Sequence, residues 1–493
     1  MTDISYKHAH RERETFGHPE KTRFHIVSVG WGASLITSLL DQIEARTDYR
    51  ISHIVFDPDL VVLERQRGLK GVYRLRDHPP GILPQPDAGL LGSLERPGVP
   101  TIHNMIMSDR VVRHLPYDQA LAYSTYIARR LNELFKQLEP SVVIGGFDGL
   151  HGAIGLAVAR KLDLPWFAMN FTPLPSGMSG FCTGLTPRTA IKLGVVPQDR
   201  LRALADRTLA EFERQERAVP AYGSANSARM LLRRLPHHVG ALYDTAARWL
   251  SREVDRFTDV SVLHLVQEYA RKRMNLFFLP RDWFCGVPPQ APYVFFGLHK
   301  QPEGSIDVWA PFYSNQLRVV ESLARALPAT HQLLVKLHKS DADNYSRTQL
   351  DRFRRLPGVR LVSPFAQSRP FLDGAALVVA IQGTIALEAG LLGKPVIMFG
   401  DSTVLDLPSV SRAGALHELP ELIRRKLVEP SAGREEIVRG FTSYLSHYSP
   451  GCYNDWNHLP SPDEIGNLVV QFEALRRFVE QQGGVPEMRP AHP

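Results

Sequence analysis

The segment Leu377 to Gly400, LVVAIQGTIALEAGLLGKPVIMFG, holds the residues of this chain best placed to do chemistry. The apolar run Leu377 to Ile381 has the length and β-branched content of a buried strand. Gln382-Gly383-Thr384 turns the chain, and Ile385 to Leu392 has helical spacing. Gly393-Lys394-Pro395 stops that helix before a second buried strand, Val396 to Phe399. Such a unit makes two parallel strands joined by a crossover helix. Gly383 and Thr384 would then present free backbone N–H groups and a hydroxyl at a helix start, which suits a phosphate. Glu388, about one turn further on, could accept hydrogen bonds from a ribose. A nucleotide-sugar donor would use both features, although an ordinary turn, N-cap and solvated helix face fit the same residues. Gly393-Lys394 is no P-loop, because Glu388 stands where the first glycine belongs and Pro395 follows. Gly30-Trp31-Gly32-Ala33-Ser34 lacks the third glycine of a dinucleotide fingerprint.

The elements around this unit are strands alternating with helices. Phe24 to Val29 and Ile51 to Phe56 read as strands flanking a helix from Ala33 to Ala45. Residues 57–100, rich in Gly, Pro and Arg, read as loops with short elements. A long helix Tyr117 to Leu138, a strand Val142 to Gly145, a helix His151 to Leu162 and a strand Trp166 to Asn170 follow. Residues 188–278 change in texture to charged, helical sequence with almost no strand signal. Alternation restarts with Tyr293 to Gly297, a helix Phe312 to Leu327, Leu333 to Leu337 and Val359 to Val362. The last helix sets Ile465, Leu468, Val469, Phe472, Leu475 and Val479 on one face. This pattern predicts an α/β protein with two Rossmann-like parallel-sheet domains facing a cleft and a helical insertion between them. The expected divisions are a polar tail 1–20, an acceptor domain 21–187, an insertion 188–285, a donor domain 286–430 and a helical tail 431–493.

Composition narrows the function classes. At 493 residues the chain exceeds one typical core, in agreement with two domains. Cys182, Cys285 and Cys452 lie far apart without metal-ligand spacing, which argues against a disulfide framework and suits a reducing cytoplasm. The charged amino terminus has no signal-peptide core, and no apolar run is long enough to span a bilayer. A net charge of +7 favours anionic partners. Nucleic acid is not expected, since no helix-turn-helix, zinc finger or aromatic-interleaved basic repeat is present. Arg229, Arg233, Arg234 and Arg271 to Arg273 are candidates to face an anionic membrane surface or acceptor, if they are not simply solvated helix positions.

Further residues complete the chemistry of a glycosyl transfer. A departing nucleotide phosphate needs stabilisation, which helix-start N–H groups and a cation such as Lys336 or His338 can supply. An inverting transfer also needs a base for the acceptor hydroxyl. Asp148 and His151 follow the strand Val142 to Gly145 and lie on the expected edge, though Asp148 also suits a helix N-cap. A retaining transfer needs no such base, and the sequence leaves the stereochemistry open. Asp57-Pro58-Asp59 and Asp341-Ala342-Asp343 have the two-aspartate spacing of metal-dependent transferases, a pair that surface turns also explain.

Leu298-His299-Lys300-Gln301-Pro302-Glu303, Lys336-Leu337-His338 and Gln382-Gly383-Thr384…Glu388-Ala389…Gly393-Lys394-Pro395-Val396 occur in this order. The ordered set resembles the bacterial capsular polysaccharide biosynthesis glycosyltransferases, which include Kdo transferases. The resemblance covers residues 292–401 and, more loosely, 101–171. It implies a GT-B fold, a nucleotide-sugar donor held mainly by the second domain, and transfer without a bound metal or other cofactor. It also implies that Gln301 and Glu303 lie at the interdomain cleft, that His338 sits near the donor phosphate or sugar carboxylate, and that Gly383, Thr384 and Glu388 hold the nucleotide. The acceptor would be a surface polysaccharide or glycolipid. One departure is Lys339, where the family commonly has proline. An epimerase of the same fold, acting on the donor alone, and a non-catalytic glycan-binding subunit are the alternatives.

Overall fold

The computed structural model describes residues 23–29, 35–55, 71–75, 83–146, 149–215, 257, 261–451 and 460–482. The first sheet contains β1 (His25–Val29), β2 (Arg50–Val55), β3 (Val72–Arg74), β4 (Val142–Gly145), β5 (Trp166–Phe171) and β6 (Met178–Cys182). The second contains β7 (Phe284–Cys285), β8 (Tyr293–Gly297), β9 (Gln332–Lys336), β10 (Val359–Val362), β11 (Leu377–Ala380), β12 (Val396–Met398) and β13 (Val410–Arg412). A short β14 (Ser449–Pro450) comes from near the chain's end and joins the first sheet.

Both sheets have the strand order of a doubly wound fold. The first runs β14-β6-β5-β4-β1-β2-β3 and the second β13-β12-β11-β8-β9-β10-β7. Strand order therefore reverses between β1 and β4 in one sheet and between β8 and β11 in the other. Ligands of open α/β sheets bind at the carboxyl ends of strands at such a reversal. The second sheet is parallel throughout. The first is parallel through β5, but β6 and β14 run antiparallel at its edge. This antiparallel edge departs from the expected all-parallel sheet. It forms because the chain reverses after Phe171 with only a short connection to Met178, and parallel pairing needs a long crossover.

Strands β1, β4, β8 and β11 are continuous buried runs, and β5 is buried up to its last residue, as two-sided helix cover requires. The helix Tyr117–Leu138 covers one face of the first sheet and buries Tyr123, Ile127, Leu131, Leu134 and Phe135. The final helix, Pro462–Gln482, covers the other. Its Ile465, Leu468, Phe472, Leu475 and Val479 are buried, and the Phe472 ring meets Phe181 edge-on at 5.2 Å. Burying each such side chain contributes roughly 1.5–3 kcal/mol. The end of the chain thus completes the first domain, after crossing back from the second.

That crossing is a polar junction within an apolar cluster. Leu174 and Met178 share a buried cluster with Tyr444, Tyr448 and, from the second domain's helix Thr384–Leu391, Leu387 and Leu391. The Tyr448 hydroxyl accepts from Asn170 Nδ2 at 3.3 Å and pairs with the Thr403 hydroxyl at 3.0 Å. Arg188 adds ion pairs to Asp406 at 3.0 Å and Asp401 at 3.9 Å. Burial acts to raise the Asp406 pKa, but hydrogen bonds from His447 and Ser443 and the nearby charges hold it at about 2. No helix among the described residues is long and apolar enough to cross a membrane.

Candidate active site

The reversal point of the second sheet gathers three loops. β8 runs out into Leu298-His299-Lys300-Gln301, β9 into Leu337-His338, and β11 into Ile381-Gln382-Gly383. The Gln382 backbone N–H donates to His299 Nε2 at 3.1 Å, joining the two strands across the reversal. Acceptance at Nε2 keeps His299 neutral with its proton on Nδ1. Burial, with a smaller contribution from His338, lowers its pKa to about 4.

Gly383 sits at φ 88° and ψ −171°, a backbone region essentially reserved for glycine. It opens the helix Thr384–Leu391, and no side chain caps that helix start. Its first-turn N–H groups are therefore available to an anion. The Thr384 hydroxyl donates to the Glu388 carboxylate. Burial nevertheless pushes the Glu388 pKa up to about 7, against the lowering effects of Thr384, Arg369 and Lys336.

Lys336 ends β9 as a buried cation. Its Nζ donates to the Pro364 carbonyl at 3.3 Å, and burial lowers its pKa to about 8, with Lys339 adding to the effect and Glu388 opposing it. His338 accepts from the Ser340 N–H through Nδ1 at 3.2 Å, so a neutral ring carries its proton on Nε2. Burial, Lys336 and Lys300 push its pKa to about 4. At neutral pH His338 is thus a neutral donor rather than the cation it was expected to be. The buried positive charge at this site is Lys336.

Gln301 and Glu303 lie on the loop after β8, and the structure gives them different surroundings. The Gln301 amide is engaged at both ends, accepting from Gln316 at 2.8 Å and donating to Asp307 at 3.0 Å. Gln316, itself buried, also bonds both the N–H and the carbonyl of His299. Gln301 therefore braces the loop that carries His299. Glu303 is exposed, and its N–H donates to Asp307 at 3.0 Å. Asp341-Ala342-Asp343 braces the same loop: Asp341 accepts from the Gln301 N–H at 3.4 Å and from the Asn344 amide. Burial raises the Asp341 pKa to about 7. The two-aspartate spacing here serves a buried turn.

On the facing edge, Asp148 lies outside the described residues, as do Asp57-Pro58-Asp59. The next residues form the helix Gly149–Lys161, whose Leu150 N–H donates to Asp109 Oδ2 at 2.8 Å. His151 is buried in its first turn and bonds the Tyr123 hydroxyl at 2.7 Å. Burial lowers its pKa to about 4 despite the nearby Asp109. Gly149 lines a small cavity with Asn104, Met105, Ser108, Leu185 and, from the second domain, Val308. The start of the helix after β4 and the residue after the short helix Gly304–Asp307 thus line one space between the two domains.

His299 was not among the expected site residues. Its position after an apolar strand, like that of His338, was the available signal. Two Rossmann-like sheets whose carboxyl edges meet at a cleft make this a protein of the GT-B fold class. No family model and no curated protein matches the chain. Among solved structures, the β-Kdo 2,4-transferase of Thermosulfurimonas dismutans KpsC is similar at 13% identity, covering 67% of this chain and 87% of that one with a TM-score of 0.32. UDP-GlcNAc 2-epimerase from Methanocaldococcus jannaschii is similar at 11% identity, covering 86% and 98% with a TM-score of 0.26. The UDP-bound MnaA of S. aureus is similar at 11% identity, covering 95% and 100% with a TM-score of 0.29.

Proposed function

We propose that this chain is a glycosyltransferase that moves a sugar from a nucleotide-sugar donor to a surface-polysaccharide or glycolipid acceptor. The observation that supports this reading is the convergence of an uncapped helix start, a buried lysine and a half-buried glutamate at the second sheet's reversal point. The N–H groups at Gly383 and Thr384 would hold the donor's phosphate. Glu388 would accept from the ribose hydroxyls. Lys336 would stabilise the negative charge that develops as the nucleotide departs, and a buried cation does this more strongly than an exposed one. His338 would donate through Nε2 to the phosphate or to a carboxylate on the sugar. The base for the acceptor hydroxyl is assigned to Asp148, which follows the strand β4 in the sequence. His151 is the weaker base, because burial and its bond to Tyr123 hold it neutral with a low pKa. The scheme needs no metal or cofactor.

The pH dependence of nucleotide binding follows from Lys336 and Glu388. Glu388 accepts ribose hydroxyls best when ionised, so affinity rises as pH passes about 7. Lys336 attracts phosphate only when protonated, so affinity falls as pH passes about 8. Calorimetric titration across pH should give tightest binding between these values. Steadily tighter binding down to pH 5 would remove Glu388 from the ribose.

Nucleotide release separates transfer from its alternatives. The protein should release nucleotide from one of a panel of nucleotide sugars only when a glycan or glycolipid extract is added. Conversion of the donor's sugar without any acceptor would identify an epimerase. Nucleotide-sugar binding with neither release nor conversion would identify a non-catalytic subunit.

A further inference from the structure

The helix Val262–Phe277 presents an apolar stripe to solvent. Leu263 is 67% exposed, Val266 46%, Met274 60% and Phe277 82%, and Phe278 follows at 55%. With exposed Ala270, these residues recur at three- and four-residue spacing and so share one face of the helix. At 16 residues the helix is roughly 24 Å long. Its opposite side is committed to the protein: Asn275 Nδ2 donates to the Asp343 carbonyl at 2.9 Å. Lys272 pairs there with Glu268 at 2.7 Å, and Glu268 is the helix's one acidic residue. By helical position Arg271 and Arg273 flank the stripe on its two edges. Arg271 stays exposed while reaching the Asn344 carbonyl at 3.3 Å, and the Arg273 guanidinium lies 4.9 Å from the Tyr269 ring centre.

We infer that this helix docks the protein on an anionic lipid surface. An apolar face edged by arginines and free of acid matches the boundary between acyl chains and acidic headgroups, where the stripe can bury and the guanidiniums meet phosphate. The chain's net charge of +7 acts in the same direction. A second protein surface would need only the stripe, whereas the arginine on each edge selects an anionic layer. The helix packs on the turn Lys339–Asn344, directly after His338, so docking would place the carboxyl edge of the second sheet beside the bilayer. This inference stands independently of the glycosyltransferase reading.

The test is flotation of the full chain with vesicles of phosphatidylcholine alone or with phosphatidylglycerol added. The protein should float only with the anionic vesicles. The double variant Met274→Glu/Phe277→Glu should bind at least about tenfold more weakly at unchanged melting temperature, since both side chains are exposed. Arg273→Gln should cost roughly fivefold. Failure of the wild type to float would overturn the proposal, and so would double-variant binding equal to wild type. A lower melting temperature in the double variant, with no flotation of the wild type, would assign the stripe to a segment of the same chain. Concentration-dependent dimerisation abolished by the double variant, again without flotation, would assign it to a second copy.

Discussion

Replacing Lys336 by methionine is expected to reduce turnover by roughly 10²–10³-fold, the usual effect of losing one group that stabilises transition-state charge. The fold should not suffer. Folding lowers this lysine's pKa from 10.5 to about 8, so between those values the folded state holds fewer protons than the unfolded state. Stability from this group therefore rises with pH across that window, and its full penalty, on the order of 3 kcal/mol, applies below it. Methionine fills similar space without a charge and removes that penalty, so the melting temperature should hold or rise. Glu388 would lose a neighbouring cation, and its pKa should move above about 7. Steady-state kinetics with thermal melts at pH 7 check both halves. A variant with normal turnover would show that the lysine does not meet the leaving group.

Gly383→Ala is expected to have the second large effect. At φ 88° and ψ −171° an alanine costs roughly 1–3 kcal/mol. Its Cβ would also stand 3.1 Å from His299 Cε1. Relief requires either the turn or the histidine to move, and either shift disturbs the Gln382–His299 bond that joins the two strands. Nucleotide affinity should fall at least tenfold, a change of about 1.4 kcal/mol. Urea unfolding and calorimetric titration measure the two losses separately. Unaltered affinity in a folded variant would place the phosphate elsewhere.

Much of this architecture was legible in the sequence, because buried parallel strands are written as continuous apolar runs. β4, β8, β10 and the helix Tyr117–Leu138 fall where the pattern placed them. β3, β6, β7, β13 and β14 were not read. β13 and β14 are only three and two residues long, and β14 pairs with a strand far away in the chain. The final helix showed its apolar face plainly, but a periodic face does not name its partner. That partner is the first sheet, reached only after the chain has built the second domain.

The site was legible in part for the same reason. Lys336 and His338 lie at the carboxyl end of β9, and Gly383, Thr384 and Glu388 in the turn and helix after β11, on either side of β8 along one sheet edge. The histidine charge state was not readable, since it depends on burial and on which ring nitrogen accepts a backbone N–H. Nor was the role of Asp341 readable, because a spacing shared with metal sites here supports a turn. The basic residues 229–234 lie outside the described residues, and of Arg271 to Arg273 the structure commits Lys272 to an internal ion pair.

The central claim is that a nucleotide is held at the second sheet's reversal point by the Gly383–Thr384 helix start and Glu388. The most direct measurement is thermal stabilisation by CMP, CDP, UDP, GDP and TDP, run in parallel on the wild type and Glu388→Ala. One nucleotide should stabilise the wild type by about 2.7 kcal/mol at a concentration one hundred times its dissociation constant. The variant should need roughly tenfold or more nucleotide for the same shift, reflecting lost hydrogen bonds to a carboxylate. Equal stabilisation of both proteins, or none of the wild type by any nucleotide, would contradict the account.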